Sequence, residues 1–148
     1  MKTYYDKDTD YLEIFFKSTE NYGEDINETT TVFKSEKNDE IVGYGFNLAS
    51  QTLTSSNFLN PQQKIGALSV IGRKLKELDQ TDMPKKIKIP YRTYQRIEEG
   101  HISKFDDLNK LASYFGDQID FSLVIKSENL KNGPEIGRNL TKKKRKAG

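Results

Sequence analysis

The chain has 148 residues, 34% of them hydrophobic and 31% charged, a length suited to one ordinary domain or two small ones with modest cores. Cysteine is absent, which excludes disulfide staples and thiolate metal sites and fits a reducing compartment. The net charge of +2 hides a division: residues 1–60 carry 5 Lys and no Arg against 11 acids, net −6, and residues 61–148 carry 19 Lys and Arg against 11 acids, net +8. Such a split suggests two different partners, one of them polyanionic, although complementary halves of one fold would show it too. No apolar run approaches membrane-spanning length, and the acidic opening MKTYYDKDTD lacks the apolar stretch of a signal peptide. A soluble cytoplasmic protein with no membrane partner is expected.

The first fifty residues read as β. Leu12, Ile14 and Phe16 alternate with Tyr11, Glu13, Phe15 and Lys17, the period of a half-buried strand. Thr29–Phe33 is a β-branched run, Ile41–Phe46 a third strand, and Thr3–Tyr5 a short first one. Ser35–Glu40 supplies the Asn and Asp of a hairpin turn. Three or four short strands form a meander whose one apolar face needs a helix, a second copy or a partner to cover it. Asp6, Asp8 and Asp10 have the spacing of calcium-loop ligands, but Tyr11 replaces the turn glycine and Lys17 the bidentate glutamate, so they read as a polar turn and no metal site is expected.

Tyr5-Asp6, Asp10, Leu12, Ile14, Phe16, then Ile41–Phe46 and Ala49-Ser50, together resemble a small β-domain family of unknown function. Members of that family are proposed as antitoxins, encoded beside small ribonuclease-like toxins. The pattern departs from the family at Gly45, where glutamate is usual, and before Ile41, where a glycine is usual.

The uncharged Gln51–Asn60 stretch reads as a linker. Asn60 can cap a helix with Pro61 in its first turn, running to about Leu78 with Ile65, Leu68, Ile71, Leu75 and Leu78 on one side. A short helix capped by Asp82 follows at 83–88, and Pro84 within it is expected to remove a hydrogen bond and clash. Pro90 to Glu99 makes the next helix, with Gly100 at the left-handed position beyond its end. Ser103 and Asp106 cap another, whose stripe is Phe105, Leu108, Leu111, Ala112 and Phe115. On the helix from Pro90, only Tyr94 and Ile97 point clearly inward. Alternation returns at Ile119, Phe121, Leu123 and Ile125 as a C-terminal strand, and the chain ends in the Lys142–Lys146 basic run.

The stretch T-Y-Q-R-I-E-E-G, then D-D-L-x-K-L-A-x-x-F-G, resembles the second half of a lambda-repressor-like (Xre-type) helix-turn-helix domain. The resemblance implies that the helix from Pro90 is a recognition helix lying in the major groove. It places Tyr91, Arg92, Thr93 and Gln95 on base edges, since Arg suits guanine and Gln adenine. Lys85, Lys86, Lys88 and Arg96 would hold phosphates. Eight basic residues between Arg73 and Arg96, against three acids, would make the surrounding surface attractive to DNA. The same residues also suit an ordinary solvated face of a helical bundle. His101, the single histidine, has no Ser or Cys nucleophile at a recognisable spacing, and no catalytic motif or phosphate-cradling glycine loop appears, so no enzyme and no cofactor is expected.

The expected fold is α+β: an N-terminal antiparallel β-meander, then a degenerate lambda-repressor-like helical domain and a C-terminal strand. The expected division is an acidic β-rich module at 1–53, a linker at 54–60, a helix-turn-helix domain with its strand at 61–127 and a disordered basic tail at 128–148. The expected function is a dimeric DNA-binding antitoxin that neutralises a partner toxin and represses its own operon from a double-stranded, palindromic operator. The alternatives are a stand-alone repressor with a dimerising or sensing β-module, and a protein-interaction module that has lost DNA binding.

Overall fold

A computed structural model of the chain describes residues 1–102, 104–116 and 119–121, which fall into two compact units, 1–58 and Leu59 onward. The chain is α+β, with an N-terminal five-stranded antiparallel sheet followed by helices.

In the first unit the strands are β1 (Lys2–Asp6), β2 (Tyr11–Phe15), β3 (Asn21–Asp25), β4 (Thr30–Ser35) and β5 (Ile41–Asn47). Their order is β1-β2-β5-β4-β3, so the sheet is not the simple meander expected. The physical reason lies in side-chain hydrophobicity. Among the described strands β5 alone is buried over most of its length, and it takes the centre, between β2 and β4. β3, NYGED, is polar and almost wholly exposed, so it is pushed to an edge. β3 was not foreseen at all.

Tyr5, Leu12, Ile14, Val32, Val42 and Phe46 are buried, the two-residue period putting Leu12 opposite Phe46 and Ile14 opposite Tyr44. On the opposite face Gly43 and Gly45 leave room for the rings of Phe15 and Phe33, whose centroids lie 5.0 Å apart; a Cβ on Gly43 would sit 2.4 Å from the Ile14 carbonyl oxygen. The Ser35–Glu40 turn forms as expected, closed by Ser35 N–H on the Glu40 carbonyl at 2.8 Å with Asp39 at φ 59°.

Asp6, Asp8 and Asp10 form a turn. Asp6 accepts hydrogen bonds from Asp8 N–H and Thr9 Oγ1, both at 3.0 Å. Asp10 accepts from the Tyr5 hydroxyl at 2.7 Å, and from Ser50 N–H and Oγ at 3.0 and 2.7 Å. This clasp ties the β1–β2 turn to α1 (Ala49–Thr52), so three residues of the family-like pattern act structurally. Burial, then the hydrogen bond to Asp10, holds the Tyr5 phenol well above its usual pKa. The stretch read as a linker carries α1 in part, and Leu53 and Leu59 at its two ends are buried.

The second unit contains α2 (Pro61–Leu75), α3 (Met83–Ile87), α4 (Tyr91–Glu98) and α5 (Phe105–Phe115). α2 starts with a full capping box: Asn60 Oδ1 accepts from Gln63 N–H at 2.8 Å, and Asn60 N–H donates to Gln63 Oε1 at 2.9 Å. It stops at Leu75, short of the expected Leu78. Glu77 takes φ 58°, and Leu78 N–H reaches back to the Arg73 carbonyl at 3.1 Å, a left-handed cap built on a glutamate instead of glycine.

The expected Asp82 cap does not form; Asp79 instead closes the turn that leads into α3. Asp79 Oδ1 accepts from Thr81 N–H, Thr81 Oγ1 and Asp82 N–H at 3.1, 2.7 and 2.9 Å, while the Asp82 side chain makes no cap bond. Because α3 begins at Met83, Pro84 falls in its first turn, where no amide hydrogen is needed, and the feared mid-helix break does not arise. The α5 stripe holds except at Phe105, which is exposed. Ser103 and most of the expected C-terminal strand, with the basic tail, lie outside the described residues; Ile119 and Phe121 are buried, and Phe121 stacks on Phe115 with centroids 6.3 Å apart.

Candidate functional site

α4 is eight residues long, too short to hold its shape alone, so its position comes from what packs beneath it. Tyr94, Ile97 and Glu98 are buried, and α2 and α3 pack against it. The approach to α2 is close: a Cβ on Gly66 would lie 2.6 Å from the Ile97 carbonyl oxygen. Gly100, at φ 92°, ends the helix as its sequence position implies. Its N–H bonds the Ile97 carbonyl and the next, His101 N–H, bonds the Arg96 carbonyl, both at 2.9 Å.

A buried ion pair, unforeseen in the sequence, locks this seat. Arg73 of α2 donates from Nε to Glu98 Oε2 at 2.6 Å and from Nη2 to Oε1 at 3.2 Å, while its Nη1 reaches the Leu78 carbonyl at 3.1 Å. Gln80 Nε2 donates to Glu98 Oε1 at 2.9 Å. One bidentate cluster therefore joins α2, the loop after it and α4. Burial opposes the charge on Arg73, but the hydrogen bond and charge of Glu98 outweigh it and the guanidinium pKa is raised. Arg73, counted in the sequence among surface cations, is thus internal, because its place on the buried stripe of α2 decides its surroundings. The fully buried Tyr94 hydroxyl lies beside Glu98 and Arg73 but makes no well-formed hydrogen bond among the described residues; burial first, then the nearby Glu98 charge, holds its pKa far above the usual phenol range.

Above this base the other side chains point outward. Tyr91, 44% exposed, and Arg92 and Arg96 are exposed; Thr93 and Gln95 are half-buried. Arg92 Nη1 lies 3.5 Å from Gln95 Oε1, the long limit of a hydrogen bond and easily exchanged for another partner. Lys85 and Lys86 on α3 and Lys88 in the three-residue turn to α4 are exposed, with no ion pair among the described residues. Lys88 takes φ 59°, and its carbonyl accepts from Lys110 Nζ at 3.2 Å.

Arg92, Thr93 and Arg96 come together with Gln62, His101 and Ile102 around a cleft of about 320 Å³. Gln62 is fixed there by Ile102 N–H, which donates to its Oε1 at 3.0 Å. Two guanidinium groups, an imidazole and a hydroxyl make this a donor-rich hollow suited to an oxyanion. Arg92 and Thr93, expected on base edges, thus share a wall with Arg96, expected on phosphate. His101 directly follows the helix in sequence, whereas Gln62 was not foreseen as a neighbour of α4, since it meets the helix only through the fold. No protein-family model, curated protein or solved structure matches the chain, which leaves the chemistry of this surface to carry the functional reading.

Proposed function

We propose that the chain is a DNA-binding antitoxin that represses its own operon, with α4 as the element that enters the major groove. The observation that carries this reading is the division of α4: Tyr94, Ile97 and Glu98 are locked beneath it, while Tyr91, Arg92, Thr93, Gln95 and Arg96 stand on its other side. A short, firmly seated helix with a polar outer face is what base readout requires. Tyr91, Arg92, Thr93 and Gln95 read base edges; Lys85, Lys86, Lys88 and Arg96 hold phosphates. The helical unit is the lambda-repressor-like half of the resemblance, and α3, the turn 88–90 and α4 form its helix-turn-helix. Residues 1–60, net −6, cover the RNA-binding surface of a basic partner toxin by charge complementarity.

A mobility shift with DNA from upstream of the gene tests the DNA reading. Arg92→Ala and Gln95→Ala are expected to abolish the sequence-specific shift, while Lys85→Ala and Lys86→Ala weaken all sequences alike and each lower the salt slope by about 0.9. Absence of a shift by the parent chain at low salt would reject it. Co-expression with the product of the adjacent gene tests the antitoxin reading: relief of growth arrest supports it, and a chain that binds DNA yet relieves nothing is a stand-alone repressor.

A further inference from the structure

The sheet of the first unit has two edges, β1 and β3, and they differ in what they can accept. An open edge is a template for another strand unless charge, bulge or cover blocks it. β3 offers no such match: antiparallel pairing with its own copy about Gly23 would set Glu24 opposite the second copy's Tyr22 and Asp25 opposite its Asn21, with no opposite-charge pair across the seam. β1 is the reverse case. Its sequence, Lys2-Thr3-Tyr4-Tyr5-Asp6, carries opposite charges at equal distances from its centre.

We infer that β1 pairs antiparallel with β1 of a second copy across a two-fold axis at Tyr4, joining two five-stranded sheets into one. In that register Lys2 stands opposite the second copy's Asp6, Asp6 opposite its Lys2, Thr3 opposite its Tyr5 and Tyr4 opposite its Tyr4. The faces agree with the sheet already formed: Lys2, Tyr4 and Asp6 lie opposite Phe15, Glu13 and Tyr11 of β2, so both ion pairs and the tyrosine pair fall on one side. Tyr4 is 58% exposed, the most exposed large aromatic or aliphatic side chain among the described residues, and Lys2 has no ion pair among them. An aromatic pair and two opposite-charge pairs are the cross-strand contacts that favour pairing. Repulsion between two units of net −6 is screened beyond about 8 Å at physiological salt, whereas the facing pairs are in contact. Five residues make a small interface, so association is weak and reversible in the free protein. The inference stands apart from DNA binding.

The chain has no cysteine, so a single introduced thiol can form a disulfide only between copies. Facing residues in an antiparallel pair have Cβ atoms about 4.5–5.5 Å apart, close to disulfide reach at the axis. Tyr4→Cys is expected to cross-link into a covalent dimer under mild oxidation, much faster than Tyr22→Cys on β3. Lys2→Asp and Asp6→Lys each set like charges opposite one another and are expected to be monomeric in the ultracentrifuge. Mixed together, those two variants re-form opposite charges at both ends and are expected to associate. Equal cross-linking rates for Tyr4→Cys and Tyr22→Cys, or a mixture that stays monomeric while circular dichroism shows both variants folded, would overturn the inference; a β1 edge that accepts another protein's strand would give that second result.

Discussion

Replacing Glu98 by leucine isolates the physical role of the buried pair. The substitution leaves the Arg73 guanidinium inside the protein with the Leu78 carbonyl as its remaining partner. Removing one member of a buried ion pair costs about 3–5 kcal/mol, because the other charge keeps its desolvation penalty without compensation. That is roughly two to four powers of ten in the folding equilibrium. Helices α2–α5 all belong to the second unit, so helical circular dichroism followed through a urea titration reports the change there. The double variant Arg73→Met/Glu98→Leu removes both charges and is expected to recover most of the loss. A single-variant cost below about 1 kcal/mol, the size of a solvent-exposed pair, would refute the buried-pair account. So would a double variant no more stable than the single one.

Gly66→Ala drives a methyl group against the Ile97 carbonyl oxygen, which is backbone and cannot step aside; a loss of about 1–3 kcal/mol in urea titration is expected, with weakened DNA binding as α4 is displaced. Tyr94→Phe deletes a buried hydroxyl that has no well-formed hydrogen bond among the described residues and is expected to stabilise the unit by about 1 kcal/mol, since little offsets its desolvation. The same phenol sets an alkaline limit: its folded pKa is raised, so it adds no pH dependence below the unfolded value of about 10, and stability falls as pH rises above it because the unfolded phenol ionises first. Urea titrations at pH 8 and pH 11 are expected to show a smaller loss for Tyr94→Phe than for the parent chain. Asp10→Ala frees Tyr5 and Ser50 together and is expected to cost the first unit about 2–3 kcal/mol, read from near-ultraviolet tyrosine dichroism during unfolding.

Periodicity made part of this fold legible. β2 is readable because Leu12 and Ile14 alternate with wetter neighbours, β5 because Ile41–Phe46 is a short apolar and glycine run, and the start of α2 because Asn60-Pro61 is a local chemical instruction. Features held in place by distant partners were not. β3 has no apolar alternation, and pairing with β4 at an edge makes it a strand. The end of α2 was hidden because Glu77 adopts the left-handed conformation usually given to glycine. For Arg73 and Glu98 helical phase, not charge, is the informative property: Arg73 lies one turn beyond buried Ser69, and Glu98 one turn beyond buried Tyr94. That phase places both inside.

That phase has a consequence for how the outer face of α4 can be tested. The helix owes its position to Tyr94, Ile97, Glu98 and the backbone contact at Gly66, not to its own propensity. Arg92 and Arg96 are exposed and make no ion pair among the described residues, so they bear little of the packing. Substituting them is expected to change stability by no more than about 0.5 kcal/mol, the usual range for a surface position. A variant such as Arg92→Ala therefore separates recognition from folding: a lost shift with an unchanged urea midpoint places the defect at the bound surface. A defect in both would mean that the outer face also holds the helix down, and the division of labour within α4 would fail.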